Sequence, residues 1–473
     1  MSGMRRFLHG LLESAQPLVP NGLRSRVRKH YLNYFYYPLF PEKNPATVVA
    51  VSSYQPFVDF KSRLYRNFPL DFSGVSCCCK PGLVSVVLPV FNQAQWLPVA
   101  VESVLSQTYP AIQLIIVDDG STDETPRVLE GYAGQRGIKM VRQSNQKLPG
   151  ALNEGFRHAQ GEYYTWISAD NQMLPEQIGE QVSFLRSHPE VEFVYADEEI
   201  MDASGAAFRE SGWCSEFQDP SDSAIVHWPR DPGRLNFTPS NYIGACVLYR
   251  AWVGRIIGPY IPELCMVEDY DYWMRINALF RIAFIGKDAP LYRYRLHASS
   301  LTARHDELGI FKKAQALVAQ DQRRRDLYLE DAEVQLIGEH PWFEYLAKLY
   351  AQSGYRVRRL AGEDTDPTAS CVKRLSIIPA AARAKEGTAA RRRPDTGKLE
   401  VVLLDRRTRD LEARAAVGEQ DWALITDPRG LERFGPNYAD RLLFARTPEA
   451  AAYPLMALLN SRVATAKFSQ RDS

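Results

Sequence analysis

Five stretches of this 473-residue sequence hold side chains whose types and placing suit chemistry. In "TWISADNQMLP" a strand-like run ends on small residues and one carboxylate, Asp170, an oxygen donor of the kind that holds a hard divalent cation. In "IQLIIVDDGS" the adjacent acids Asp118 and Asp119 close another apolar run, where they can bind a ligand edge or simply make a turn. In "MVEDYDYWMRINALF" Glu268, Asp269 and Asp271 stand at the start of a helix whose Trp273, Ile276 and Leu279 can face a core. An acid placed there can accept a proton in a reaction, or it can cap the helix, whose dipole and free N–H groups favour negative charge. Lys147, with Asn145 two residues before it in "SNQKLPG", can reach a phosphate or stay solvated. His297 in "YRYRLHASS" can ligate a metal or pack as an ordinary histidine.

These residues need elements to bring them together. From Pro81 the chain alternates apolar strands with amphipathic helices: the strand "LVSVVLPVF", a helix from Leu97 to Gln107, the strand "IQLIIVDDGS", and a helix near Glu124 to Tyr132. The strand "KMVRQ", a helix from Gly150 to Ala159 and the strand "EYYTWISAD" follow. Such repetition predicts an α/β fold with a mostly parallel, helix-covered sheet. In an open sheet of this kind the ligand crevice lies outside the carboxyl ends of the strands. Pro89, Phe91 and Asn92 follow the first strand, Asp118, Asp119 and Gly120 the second, Asn145 and Lys147 the third, and Asp170 the fourth. The topology therefore gathers four distant positions on one edge.

The stretch "VSVVLPVFNQAQWLPVAVESVLSQTYPAIQLIIVDDGSTDET" closely resembles the opening of family 2 glycosyltransferases of the GT-A fold. The resemblance continues through "SNQKLPGALNEGF", "GEYYTWISADNQMLP", "VEDYDYWMRI" and "YRYRLHASSLT", covering about Val84 to Thr302. It implies an enzyme that transfers a sugar from a nucleotide-sugar donor, with inversion, to a hydroxyl of a glycan or lipid-linked acceptor, in polysaccharide or cell-envelope synthesis. Pro89 and Phe91 would form a slot for the base and Asp119, with Asp118, would accept from its ring N–H; Asn145 and Lys147 would lie toward the phosphates. A UDP-sugar is the expected donor, with dTDP and GDP sugars as alternatives. Asp170 would stand in the metal-binding Asp-x-Asp motif and His297 would be a second ligand of a divalent cation, Mn or Mg. Asp269 would be the general base, with Glu268 beside it. Ala169 and Asn171 occupy places where the fullest motif carries acids. That departure keeps a second reading open, a catalytically silent nucleotide-sugar-binding or scaffold protein.

Outside this region the sequence reads as further modules. Residues 1–82 form an N-terminal extension with Arg5, Arg6, Arg24, Arg26, Arg28 and Lys29 beside "YLNYFYYPLF", either a peripheral membrane contact or a segment packed on the next domain. Residues 83–305 are the catalytic domain, 306–332 a helical connector, and 333–473 a smaller Rossmann-like α/β domain with a basic mobile loop near 380–398. In that last domain "EVQLIG", a helix from Trp342 to Gln352, "YRVRRL", "KLEVVLLD", "WALITD" and "RLLFA" carry the pattern, and Gly338 lacks a G-x-G-x-x-G run around it. In the loop-rich stretch 208–240, Trp213 and Trp228 can stack on an acceptor sugar or cover a core. A formal net charge of +1 gives no reason to expect nucleic acid. Seven cysteines, three of them adjacent at Cys77, Cys78 and Cys79, match neither a zinc spacing nor a disulfide framework and fit a reducing compartment. No apolar run reaches the ~20 residues of a membrane span, so the expected place is cytoplasmic, with peripheral membrane contact at most.

Overall fold

The computed structural model describes residues 51–72, 74–77, 79–209, 217–218, 224–287, 289–329, 332–361, 373–385, 398–404, 421–426 and 441–469, with Thr408, Ala413, Ala416 and Val417. Most of the basic and aromatic N-terminal stretch, Trp213, and 386–397 of the basic loop lie outside the described residues. In chain order the elements begin with α1 (Val51–Asn67), β1 (Val75–Ser76), β2 (Lys80–Val90), α2 (Leu97–Leu105), β3 (Ile112–Asp118), α3 (Thr125–Glu130), β4 (Ile138–Arg142) and α4 (Lys147–Arg157). They continue with β5 (Gly161–Trp166), β6 (Gln172–Met173), α5 (Gln177–Ser187), β7 (Phe193–Ala196), β8 (Glu198–Met201), β9 (Ile225–Val226), β10 (Val247–Arg250), α6 (Ala251–Ile257), α7 (Glu268–Leu279), β11 (Ile282–Ile285) and β12 (Tyr292–Arg295). Then come α8 (Ile310–Leu329), β13 (Ala332–Ile337), α9 (Phe343–Gln352), β14 (Arg356–Leu360), β15 (Lys373–Pro379), α10 (Ala380–Lys385), β16 (Lys398–Leu404), β17 (Trp422–Ile425), β18 (Leu442–Ala445) and α11 (Pro448–Ser469).

The α/β class and the mostly parallel sheet are observed. The first sheet has the order β11-β7-β10-β5-β2-β3-β4. Strands β4, β3, β2 and β5 run parallel, whereas β10 is antiparallel to both β5 and β7. Strand β2 is buried from Val84 to Val90 because helices cover both faces of the sheet, which is why it reads as one apolar run. Val84, Val86, Leu88 and Val90 pack with Leu97, Val101 and Val104 of α2 and with Ile178, Val182 and Leu185 of α5 in one core. A four-stranded sheet, β6-β12-β8-β9, lies downstream of the Asp170 turn and joins β12 to β8 in parallel.

A second seven-stranded sheet, β1-β18-β17-β16-β15-β13-β14, is parallel except for β1, which pairs antiparallel with β18. Part of the stretch read as an extension, Val75 and Ser76, thus forms an edge of this sheet. Strand β15 had no counterpart in the sequence reading, since it opens on Lys373 and Arg374, charged residues that are nevertheless buried here. Helix α11 was missed for a related reason: it is buried on every side from Ala450 to Ser461 and shows no amphipathic stripe. Its Ser461 Oγ donates to Ile256 O at 3.0 Å, and its Tyr453 hydroxyl donates to Leu279 O at the end of α7. Cys77 and Cys79 form a disulfide with a Cα separation of 5.4 Å. This corrects the expectation of unpaired cysteines: one intervening residue suffices to set the two Cα atoms within disulfide range. No described helix is long and apolar enough to cross a membrane.

Candidate active site

Strand β3 ends on Asp118, and both acids of the pair are buried beneath the turn that follows. Asp118 Oδ1 accepts from Ser121 N–H at 2.9 Å, and its Oδ2 lies 3.3 Å from Arg142 Nε at the end of β4. This carboxylate therefore shapes the turn and ties it to the next strand. Asp119 Oδ1 accepts from Gln143 Nε2 at 2.7 Å and from Gln146 N–H at 2.8 Å, whereas its Oδ2 accepts from no described residue. Gly120, at φ +79°, makes the reversal possible, and a Cβ there would stand 3.0 Å from Asn145 N. Asn92, at φ +53°, locks the loop after β2 against this turn, its Oδ1 accepting from Thr122 N–H at 2.8 Å.

The two residues of the expected base slot are placed differently: Pro89 is buried inside β2 opposite Val117, and only Phe91, 45% exposed, offers an open face. Asn145 and Lys147 are both exposed; Asn145 Oδ1 accepts from Lys147 N–H at 3.1 Å, a local turn that starts α4 at Lys147 and not at Gly150. Lys147 holds φ +63°, and its charge, like that of Lys313, acts on Cys265 beside the start of α7.

Asp170 and His297, 127 positions apart, are in contact. His297 Nε2 lies 3.0 Å from Asp170 Oδ2, and both side chains are nearly covered. Asp170 Oδ2 also accepts from Gln93 Nε2 at 3.3 Å, while its Oδ1 accepts from no described residue. The imidazole is fixed on two further sides: Nδ1 is 2.9 Å from Ser299 Oγ, and the Trp96 ring lies against it at 4.1 Å between centroids. Arg295 holds the turn from below, its Nε donating to Asp170 O at 2.7 Å. An aspartate oxygen and an imidazole nitrogen at one point are a donor pair that suits Mn more than Mg. No group of three or more His, Cys, Asp or Glu side chains converges among the described residues, so a cation here would draw its remaining ligands from substrate oxygens and water.

The two departures from the Asp-x-Asp pattern have structural explanations. Ala169 is fully buried in the core between β2 and α5, where an acid would have to desolvate. Asn171 is buried too, its Oδ1 accepting from Arg295 N–H at 2.8 Å, which pins β12 to the turn. Neither side chain is placed to be a ligand.

At the start of α7 the acids divide. Asp269, half-buried, accepts from Tyr270 N–H at 2.6 Å on Oδ1 and from Asn241 Nδ2 at 3.0 Å on Oδ2. Burial pushes its carboxyl above the usual carboxylate range, partly offset by those two N–H donors. Glu268 is pushed up as well, by burial and then by the neighbouring Asp269 charge, and accepts from Met266 N–H at 2.5 Å. Asp271 faces away into the protein, where its two oxygens accept from Arg275 Nε at 2.8 Å and Arg324 Nη2 at 2.7 Å. Against the penalty of burial, these guanidiniums hold its carboxyl below the usual range. Trp228 is buried against Phe217 and Asp197 and offers no open face to a sugar.

Gln93, Trp96, Gln143, Gln146, Asn241 and Arg295 were not singled out from the sequence. Gln93 and Trp96 lie in the loop directly after β2, and the rule that ligands gather at carboxyl strand ends would have nominated that whole loop. Asn241 carries no comparable signal.

The chain is similar to known proteins. The family described as "Glycosyl transferase family 2" matches residues 85–250. An uncharacterised glycosyltransferase of Rickettsia conorii is 32% identical over 232 residues, 48% of this chain and 36% of that protein. EpsH of Bacillus subtilis, itself a candidate glycosyltransferase, is 28% identical over 247 residues, 50% of this chain and 66% of its own length. The chain thus spans between about a third and two thirds of the length of these relatives. The solved structure of S. aureus TarS 1-349 in complex with UDP aligns with 57% of this chain and 72% of that one, at 18% identity and a TM-score of 0.37, a likeness too slight to carry a reading. Residues 85–250 are thus similar to glycosyltransferase family 2, the segment that holds Asp118, Asp119 and Asp170.

Proposed function

We propose that the chain is an inverting glycosyltransferase that moves a sugar from a UDP-sugar to a hydroxyl of a glycan or lipid-linked glycan, with 83–305 as the catalytic domain and 333–473 as an accessory domain. The observation that carries this reading is the contact of His297 with Asp170, which, like Asp119 on the same strand edge, lies inside the segment matched by the family. Phe91 stacks on the uracil and the free oxygen of Asp119 accepts from its ring N–H. Asp170 and His297 would hold a divalent cation, which would supply positive charge against the departing diphosphate. Asp269 takes the proton from the acceptor hydroxyl as its oxygen bonds to the anomeric carbon. The bond from that carbon to the phosphate oxygen breaks, and its electron pair leaves with the nucleoside diphosphate. One base opposite one leaving group gives a single displacement with inversion.

The test is calorimetric titration of Mn into protein with UDP, alongside turnover across a panel of nucleotide sugars. Asp170→Ala is expected to lose metal-dependent UDP binding and transfer together, and His297→Ala to lose both more mildly. An Asp170→Ala protein that binds Mn and UDP like the wild type would remove the metal assignment.

A further inference from the structure

We infer that Asn241 is a positioning residue for the base: its amide nitrogen holds the Asp269 carboxylate in one orientation toward the acceptor. This rests on the reading of Asp269 as the base. The amide is itself oriented, because Asn241 Oδ1 accepts from Ile243 N–H at 3.3 Å, which leaves Nδ2 to donate to Asp269 Oδ2 at 3.0 Å. With Oδ1 held by Tyr270 N–H, each carboxylate oxygen has one fixed donor, and the plane of the group is set by two directions instead of one.

The loop that carries Asn241 is anchored from beneath. Glu198, fully buried at the start of β8, accepts on Oε1 from Cys246 N–H at 2.9 Å and from Ala245 N–H. Gly244, at φ +75°, lies so close that a Cβ would stand 2.3 Å from Glu198 Oε1 and 2.5 Å from Trp228 Nε1. The segment 241–246 therefore has little freedom, and Asn241 is presented on a rigid support. The other titratable or charged groups facing the carboxylate are Glu268 on its own turn, Tyr260 and Tyr294; Lys313 on α8 acts on Glu268. Beside these groups, Asn241 supplies the side-chain hydrogen bond that orients Asp269 from outside its own helix turn.

The experiment compares wild type, Asn241→Ala, Asn241→Ser, Asn241→Asp and Asp269→Asn by kcat, donor KM and the pH profile of kcat/KM, with thermal melting and UDP binding as controls for folding. Losing an N–H donor to a carboxylate disfavours its ionised form, so Asn241→Ala is expected to lower kcat about ten- to a hundredfold and to move the acid limb to higher pH, with donor KM nearly unchanged. Asn241→Asp sets a second acid against Oδ2 and moves the limb further the same way. Asn241→Ser, which can still donate, recovers part of the loss. A wild-type kcat and pH profile in Asn241→Ala, while Asp269→Asn is inactive, overturns the positioning role alone. Full activity in Asp269→Asn removes the base reading, and the Asn241 proposal goes with it.

Discussion

In the first seven-stranded sheet the strand order reverses between β2 and β5; in the second it reverses between β13 and β15. Such switch points are where open parallel sheets place their ligands. At the first, the loops beyond the strands turn Gln93, Asp170 and His297 toward one another. At the second, β13 runs into Gly338 at φ +82°, where a Cβ would lie 2.9 Å from Ala382 Cβ, with Pro379 Cδ at 3.8 Å. There α10 packs through Ala382 against the end of β13. Topology nominates a place in each sheet; the residues that follow the strands decide whether it becomes a site or packing.

The comparison predicts that changes at the first edge act on turnover and changes near the second act on stability. The largest effect is expected for Asp269→Asn, which keeps volume and loses basicity: turnover should fall about 10²- to 10⁴-fold with the melting temperature nearly unchanged. Because burial raises this carboxyl, the acid limb of wild-type kcat/KM should lie above the ordinary carboxylate range, activity falling as pH drops through it. An acid limb that persists in a residually active variant would assign it to another group.

Asp271→Ala comes next and should do the reverse. It leaves Arg275 and Arg324 facing each other without their shared anion, and the loss is expected at about 3 to 5 kcal/mol of stability by denaturant titration. Since its folded carboxyl is depressed, the contribution is present above the unfolded carboxylate pKa and disappears as pH falls through the folded value. The gap between variant and wild type should therefore be full at neutral pH and close in acid. An unaltered Asp271→Ala melting curve would break the contrast between the two faces of this helix turn.

Gly338→Ala should cost about 1 to 3 kcal/mol, from the left-handed backbone and the close Ala382 contact, and leave kcat per folded molecule unchanged. A fall in kcat with unchanged stability would mean that the second switch point takes part in catalysis. The smallest effect is expected for Gln93→Ala, which removes one long hydrogen bond to Asp170: roughly a few-fold weaker Mn binding in the presence of UDP, with melting unaffected.

The alternation of apolar strands and helices from Pro81 onward made the parallel sheet legible, and with it the edge on which Asp118, Asp119 and Asp170 stand, because strand burial and strand ends are local properties of the chain. What lay beyond local reading was the direction of each side chain. Asp269 and Asp271 are two residues apart on one helix turn, yet one meets Asn241 at the rim and the other two arginines in the interior, one of them on α8. Ala169 gives no local sign that its side chain belongs to the core, nor Asn171 that its oxygen is taken by Arg295 N–H. Lys373 and Arg374 hide a strand because a charged residue announces solvent until its partners, Asn460 and Glu333, arrive from far along the sequence. Sequence determined which elements form and where their ends fall, through periodicity and turn chemistry. Tertiary structure alone decided which carboxylates are shared with a histidine, an amide or an arginine, since those partners are chosen by distances in space that no spacing along the chain encodes.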